Sequence, residues 1–241
     1  MNRPYTICYL NVSAEAHIDG DFMSHPAAAE ASAIFRQRWL DMKADAIIYG
    51  AVTMALFTAG RLREALPRAT AKYARTDYVV PSPHGRYYVA IDTKGTIAYD
   101  SDTVDVKNRG AHGVIHVLTE DVSDDYLEYL RGKNISYIFC GAEELDPVVM
   151  MEKVYSLFGV KKAIISGGAY ADWTLLSRGL IDEIKTMYLP VVDGDPRSHT
   201  LFLRSEGMAA EAVALKLVSA EITGGDGLMV TYIPKNVRAN G

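Results

Sequence analysis

The chain has 241 residues, 49% apolar and 23% charged, with a formal net charge of −5. That length makes one large domain or two small ones, and the composition excludes a disordered chain. The acidic balance argues against nucleic acid or an anionic membrane as partner, and no apolar run approaches a membrane span.

The first ten residues, MNRPYTICYL, lack the apolar core and cleavage site of a signal peptide. Cys8 and Cys140 each sit in an apolar, strand-like run and read as buried free thiols. A reducing, cytoplasmic setting is expected.

Residues 5–12 (YTICYLNV), rich in aromatic and β-branched side chains, predict a first strand. Asp19-Gly20 is a turn signal. Pro26 stands where a first helical residue belongs, with Ser24 or His25 as cap. A helix is expected over 27–43, with a core-facing stripe drawn from Ile34, Phe35, Arg38, Trp39 and Met42. A short apolar strand follows at 46–49, closed by Gly50, and a brief helical stretch runs to about Phe57. Residues 60–86 are rich in arginine and proline without periodicity. They read as a solvated loop with one short helix near 69–75; the functional reading is a lid or a basic contact for phosphate.

Strands are expected at 87–91, 113–118 and 136–140, with a turn at 92–95. Helices are expected at 124–131, capped by Ser123, and at 146–158, with Asp146 as cap and Pro147 in the first position. The three aspartates of 100–105 read as a solvated loop. His112 and His116 are four apart on a turn-and-strand segment, where that spacing does not converge, so no zinc site is expected. After an irregular stretch at 191–208, with a turn at 193–196, two strands at 215–221 and 228–234 flank Gly224-Gly225-Asp226-Gly227, a hairpin signal.

The most informative stretch lies before that hairpin. Residues 163–166 form an apolar strand run, ended by Gly167-Gly168. A helix is expected over 171–177, with Gly179 as its stop, and a strand over 184–189. A glycine pair between a strand's carboxyl end and a helix's amino end is a natural anion site, because unpaired N–H groups and the helix dipole point the same way. Gly50 repeats the arrangement, so both junctions are expected at the carboxyl edge of one sheet. Strand and helix alternate at the spacing of βαβ units. The fold class is therefore α/β, a mostly parallel central sheet with antiparallel C-terminal strands, in a single domain over 1–241.

Four stretches agree with one family: RPYTICYLNVS at the N-terminus, DAIIYGAVTM at 45–54, VAIDTKG at 89–95 and ISGGAYADWTLLSRGLIDEIKTMYLPVVDG at 165–194. The chain resembles the pyrimidine reductases of riboflavin synthesis, whose domain has the dihydrofolate-reductase-like fold: a twisted central sheet with helices on both faces. The resemblance implies NADPH as cofactor, hydride transfer to a ribosylaminopyrimidine phosphate, and a homodimer, with the C-terminal strands as candidate interface. It implies that Ser13, Gly50, Val52 and Thr53 touch the cofactor and that Thr93, Lys94 and Gly95 lie near the adenosine and its 2′-phosphate. Gly167, Gly168, Ala169 and Tyr170 would cradle the pyrophosphate. Ser13, Glu15 and Glu183 would face the substrate, with Glu183 and His17 as the catalytic candidates and no metal. Hydride transfer needs positioning rather than a nucleophile, and no Ser-His-Asp or Cys-His arrangement suggests itself.

The likeness breaks after the first strand. Where the family reads Ser-Leu-Asp-Gly-Lys, this chain has Ser13, Ala14, Glu15, Ala16 and His17. Ala16 disfavours a positive φ, so a differently shaped loop is expected. His17 removes a permanent cation that could steady a substrate phosphate. Phe57 stands where the family places an aspartate. The changes fall mainly on the substrate side, which leaves open another heterocycle or carbonyl substrate, a ligand-binding relative without turnover, or a dihydrofolate-reductase-type enzyme.

Overall fold

The computed structural model describes residues 2–107, 109–206 and 211–235. The chain falls into two compact units: Met1–Pro4 with Asp45–Ala163, and Tyr5–Ala44 with Ile164–Gly241. No helix among the described residues is long and apolar enough to cross a membrane.

In the unit built on Asp45–Ala163, β2 (Ala46–Gly50), β3 (Tyr87–Ile91), β5 (Gly110–Leu118) and β6 (Ser136–Phe139) run parallel, as the alternating pattern predicts. β5 is nine residues long and, besides β3, pairs with two further strands. Its first half pairs antiparallel with β4 (Thr103–Val106), its second half with β6. Residues 103–105, the second half of the stretch expected as a solvated loop, thus belong to a strand, because β-branched Thr103 and Val104 pair with β5 and Val104 is buried. Every residue of β2 and β6 is buried, which is why both read as continuous apolar runs.

Three helices belong here: α2 (Ala51–Ala55), α3 (Asp124–Gly132) and α4 (Pro147–Phe158). The sequence caps hold. Ser123 accepts from the Tyr126 amide, and Asp146 accepts from Val148 and Val149 at 2.9 and 3.2 Å with Pro147 in the first turn. The short helix expected near 69–75 is absent. There the amides of Ala69, Thr70 and Tyr73 go to the side chains of Asp125, Glu128 and Asp124 on α3, and Arg75 adds an ion pair to Asp124 at 2.5 Å. Donors taken by carboxylates cannot close helical turns.

In the other unit, β1 (Tyr5–Val12) and β8 (Glu183–Tyr188) are parallel. β8 then pairs antiparallel with β10 (Leu228–Pro234), and β10 with β9 (Leu215–Ile222). The expected hairpin therefore forms, with Asp226 in left-handed backbone (φ 52). β7 (Lys162–Ile165) carries the chain into this unit, and α5 (Ala169–Ser177) follows it. Pro26–Ala28 forms a 3-10 turn, with His25 accepting from the Ala27 amide, before α1 (Ala29–Asp41) begins. α1 buries Ala31, Ser32, Phe35 and Trp39, a narrower face than the expected stripe. Phe35 stacks on Tyr9 of β1 at 4.3 Å and 2°, a pairing that adds about 0.5–1.5 kcal/mol beyond area burial. Arg38 instead reaches out to Glu221 on β9 through two bonds of 2.9 and 2.6 Å. Cys8 and Cys140 are free and buried, as expected, and burial pushes both thiols up, Cys140 to about 12. The stretch 191–206 is irregular apart from a bridge between Thr200 and His17; Gly207 and Met208, the end of the expected stretch, lie outside the described residues.

Candidate active site

Parallel strands leave their loops at one edge, and β1 delivers Ser13 there. The Leu189 amide donates to Val12 and the Ala14 amide to Val191, both at 2.8 Å, so the loops after β1 and β8 emerge side by side. Residues 13–17 then close on themselves. The Ser13 amide donates to the His17 carbonyl at 3.0 Å, and the His17 amide to Ser13 Oγ at 3.1 Å. Ser13 is fully buried by this arrangement. Contrary to the expectation for alanine, Ala16 takes a positive φ of 70°. The left-handed loop is kept at the expense of strain, which runs to roughly 1–2 kcal/mol for a residue with a Cβ.

Left-handed backbone at Ala16 turns Glu15 and His17 toward one place. His17 Nδ1 lies 3.2 Å from Glu15 Oε1 and 3.8 Å from Asp193 Oδ1. Glu15 Oε1 is already engaged, accepting the amides of Gly194 and Asp193 at 2.8 and 2.9 Å. Those bonds, Gly194 first, hold the Glu15 carboxyl below its usual range. Asp193 Oδ1 accepts the Asp195 amide at 2.6 Å. His17 Nδ1 and Glu15 Oε2 are shielded from solvent and make no hydrogen bond. Asp193 reads as a simple turn residue in the sequence; more than 170 positions separate it from Glu15, and no spacing rule links them.

The second element of this unit is the glycine pair. Gly167 (φ 120) and Gly168 (φ 103) both take backbone that side-chain residues avoid. Gly168 is the cap of α5, and no side chain caps that helix. The cap residue itself thus offers the first amides no side-chain acceptor, an arrangement suited to receive an anion. Ala169 is buried and Tyr170 is 51% exposed. One turn in, Asp172 is fully buried with both carboxylate oxygens unpartnered, and burial pushes its carboxyl well above the usual range. An acid inside the apolar run AYADWTLL is the sequence signal that could have found it.

Glu183 does not join the Ser13–His17 cluster. Parallel register pairs it with Ile7, at the amino end of β8, whereas Ser13 lies six residues beyond Ile7. At ~3.3 Å per residue that is about 20 Å of strand. Glu183 instead accepts from Tyr5 Oη at 2.8 Å and pairs with Lys185 at 2.8 Å. The expected substrate set of Ser13, Glu15 and Glu183 is thus divided between opposite ends of β1 and β8.

In the Asp45–Ala163 unit, Gly50 caps α2 with φ −68, backbone open to any residue. Thr53 lies within α2, and Val52 is 70% exposed. Thr93, Lys94 and Gly95 form the turn after β3, as expected. Lys94 is ion-paired with Asp121, and the Thr93 carbonyl accepts from the Thr119 amide and hydroxyl at 3.2 and 3.1 Å. Gly95 has φ 68, and a Cβ there would run into the Tyr126 ring. Packing alone therefore requires this glycine. Under the turn, Asp92 accepts the amides of Thr96 and Ile97 at 2.6 and 2.9 Å and the Thr96 hydroxyl at 2.9 Å. Burial would raise its carboxyl, but bonding to His116 and Thr96 outweighs it and lowers it to about 2. His116, between the Tyr99 hydroxyl and the Asp92 carbonyl at 2.9 and 3.1 Å, is a core residue.

The chain is similar to several known proteins. Two curated relatives are each named 2,5-diamino-6-ribosylamino-4(3H)-pyrimidinone 5′-phosphate reductase. The protein from Methanothermobacter thermautotrophicus is 28% identical over 131 residues, 54% of this chain and 59% of its own length. The protein from Aquifex aeolicus is 25% identical over 209 residues, 83% of each chain. Among solved structures, a pyrimidine reductase-like protein from Corynebacterium diphtheriae shares the fold with a TM-score of 0.65 at 15% identity, over 98% of this chain and 93% of that one. Riboflavin Biosynthesis Reductase Rib7 from Saccharomyces cerevisiae does so with a TM-score of 0.61 at 14% identity, over 98% and 91%. Residues 8–229 match the RibD C-terminal domain, and the chain belongs to that family.

Proposed function

We propose that this chain is an NADPH-dependent reductase of a ribosylaminopyrimidine phosphate or a closely related small heterocycle. Membership of the family and the names of the two curated relatives described above support a reductase. The observation that carries the reading is the start of α5: two glycines at positive φ and no side-chain cap. That cup fits a pyrophosphate, and Gly167, Gly168, Ala169 and Tyr170 would hold it. Ser13, in the same unit, keeps the cofactor role that the resemblance gives it. The reduced nicotinamide supplies the hydride when bound. The chain's own residues then position the acceptor and exclude water. On the substrate side, Ser13 is buried and fixed by the 13–17 loop, and His17 is the group within reach to move a proton.

The carboxylates of Glu15 and Asp193 favour a second reading. Their charge repels a phosphate, which suits an uncharged heterocycle or carbonyl compound. Association into a homodimer is part of the proposal: β9 is exposed along nearly its whole length, with Leu217, Val218 and Ile222 at 55, 52 and 85% exposure.

The test is single-turnover oxidation of NADPH followed by absorbance, across ribosylaminopyrimidine phosphates, their dephosphorylated forms, pterins and simple carbonyls. Substrate-dependent oxidation of at least one pyrimidine is expected. Binding of NADPH without oxidation by any of them would contradict the reductase reading.

A further inference from the structure

We propose that Glu15, His17 and Asp193 form a binding site for a divalent transition-metal cation. Each residue offers one ligand atom, and these atoms lie within 4.8 Å of one another. The donor set is one imidazole nitrogen and two carboxylate oxygens, which suits Zn²⁺ or Mn²⁺ better than an all-oxygen ion such as Ca²⁺. Tetrahedral ligands at about 2.1 Å from zinc sit about 3.4 Å apart. The separations from His17 Nδ1, 3.2 Å to Glu15 and 3.8 Å to Asp193, bracket that value.

Two features support a cation here. First, His17 Nδ1 and Glu15 Oε2 are shielded from water yet have no hydrogen-bond partner, and shielded polar atoms are costly to leave so. Second, the carboxylates are held in place from outside. The Gly194 and Asp193 amides fix Glu15, the Asp195 amide fixes Asp193, and the Asp193 side chain is only 6% exposed. Ligating groups oriented by outer bonds are the mark of metal sites.

A divalent cation would also cancel the two carboxylate charges of this patch, removing the repulsion that turns a phosphate away. That consequence, though not the site itself, rests on the reductase reading. Metal binding is therefore measured without substrate or nucleotide, so its failure leaves the reductase reading standing.

The experiment is calorimetric titration of the full chain, stripped with chelator, with Zn²⁺ and separately with Mn²⁺. One equivalent per chain is expected, weakened at least about tenfold in His17→Gln and in Asp193→Asn, as outer or inner ligand losses generally are. Co²⁺ is the second probe: ligation by His17 should give a visible absorption band that His17→Gln abolishes. Circular dichroism checks the fold of each variant, and the Co²⁺ spectrum of the unaltered chain decides the matter should either variant misfold. Substoichiometric binding, or stoichiometric binding that survives both substitutions, would overturn the proposal.

Discussion

Two loops that leave the carboxyl ends of parallel strands in this protein are built on opposite principles. The turn after β3 is satisfied. Asp92 accepts three bonds from Thr96 and Ile97, Lys94 is paired with Asp121, and Gly95 is filled from below by Tyr126. The loop after β1 is not. Ala16 is strained, and His17 Nδ1 and Glu15 Oε2 lack partners; in the same unit, the amino end of α5 lacks a side-chain cap. A folded chain tolerates strain and unmet polar groups where a ligand completes them, and the contrast sets the first loop apart as scaffold and the second as the candidate site.

The largest expected effect breaks the scaffold side. Replacing Asp92 by alanine removes a buried carboxylate from three donors and from His116, and should cost roughly 3–5 kcal/mol in urea unfolding. The same carboxyl gives a pH signature. Its value is depressed from 3.8 to about 2, so its contribution is complete above 3.8 and is lost as pH falls toward about 2. The loss is about 2 kcal/mol and should be missing from Asp92→Ala. Unfolding curves that move in parallel for both proteins below about pH 4 would contradict a satisfied Asp92. The smaller effect has the opposite sign and sharpens the site side. Ala16→Gly relieves the positive φ and should stabilise the fold by about 1 kcal/mol, seen as a raised midpoint without a changed slope. A neutral or destabilising result would mean the loop is not strained.

The two loops also differ in how far the sequence announces them. Local signals were reliable wherever the partner is close in the chain. Ser123, Asp146-Pro147 and the bounds of β3 and β10 are where patterning puts them. The glycine pair at Gly167-Gly168 is likewise visible, because a strand, two glycines and a helix are contiguous. What sequence reasoning misses is set by distant partners. The 69–75 segment loses its helix to carboxylates on α3, some fifty positions away. Asp193 reaches Glu15 across most of the chain, whereas Ala16 is a local exception, held left-handed by bonds between Ser13 and His17. Glu183 looked functional because it sits in a specific motif; only strand register shows which end of β8 it occupies.

The central claim is that the amino end of α5 is a phosphate cup for a nicotinamide dinucleotide. Calorimetric titration of the full chain with NADPH and NADH, beside the same titration of Gly168→Ala, tests it most directly. Gly168 has φ 103, so a methyl group there should distort the cup and weaken nucleotide binding at least about tenfold while the rest of the fold persists by circular dichroism. Absence of binding by either nucleotide to the unaltered chain, or equal affinity in Gly168→Ala, would contradict the account.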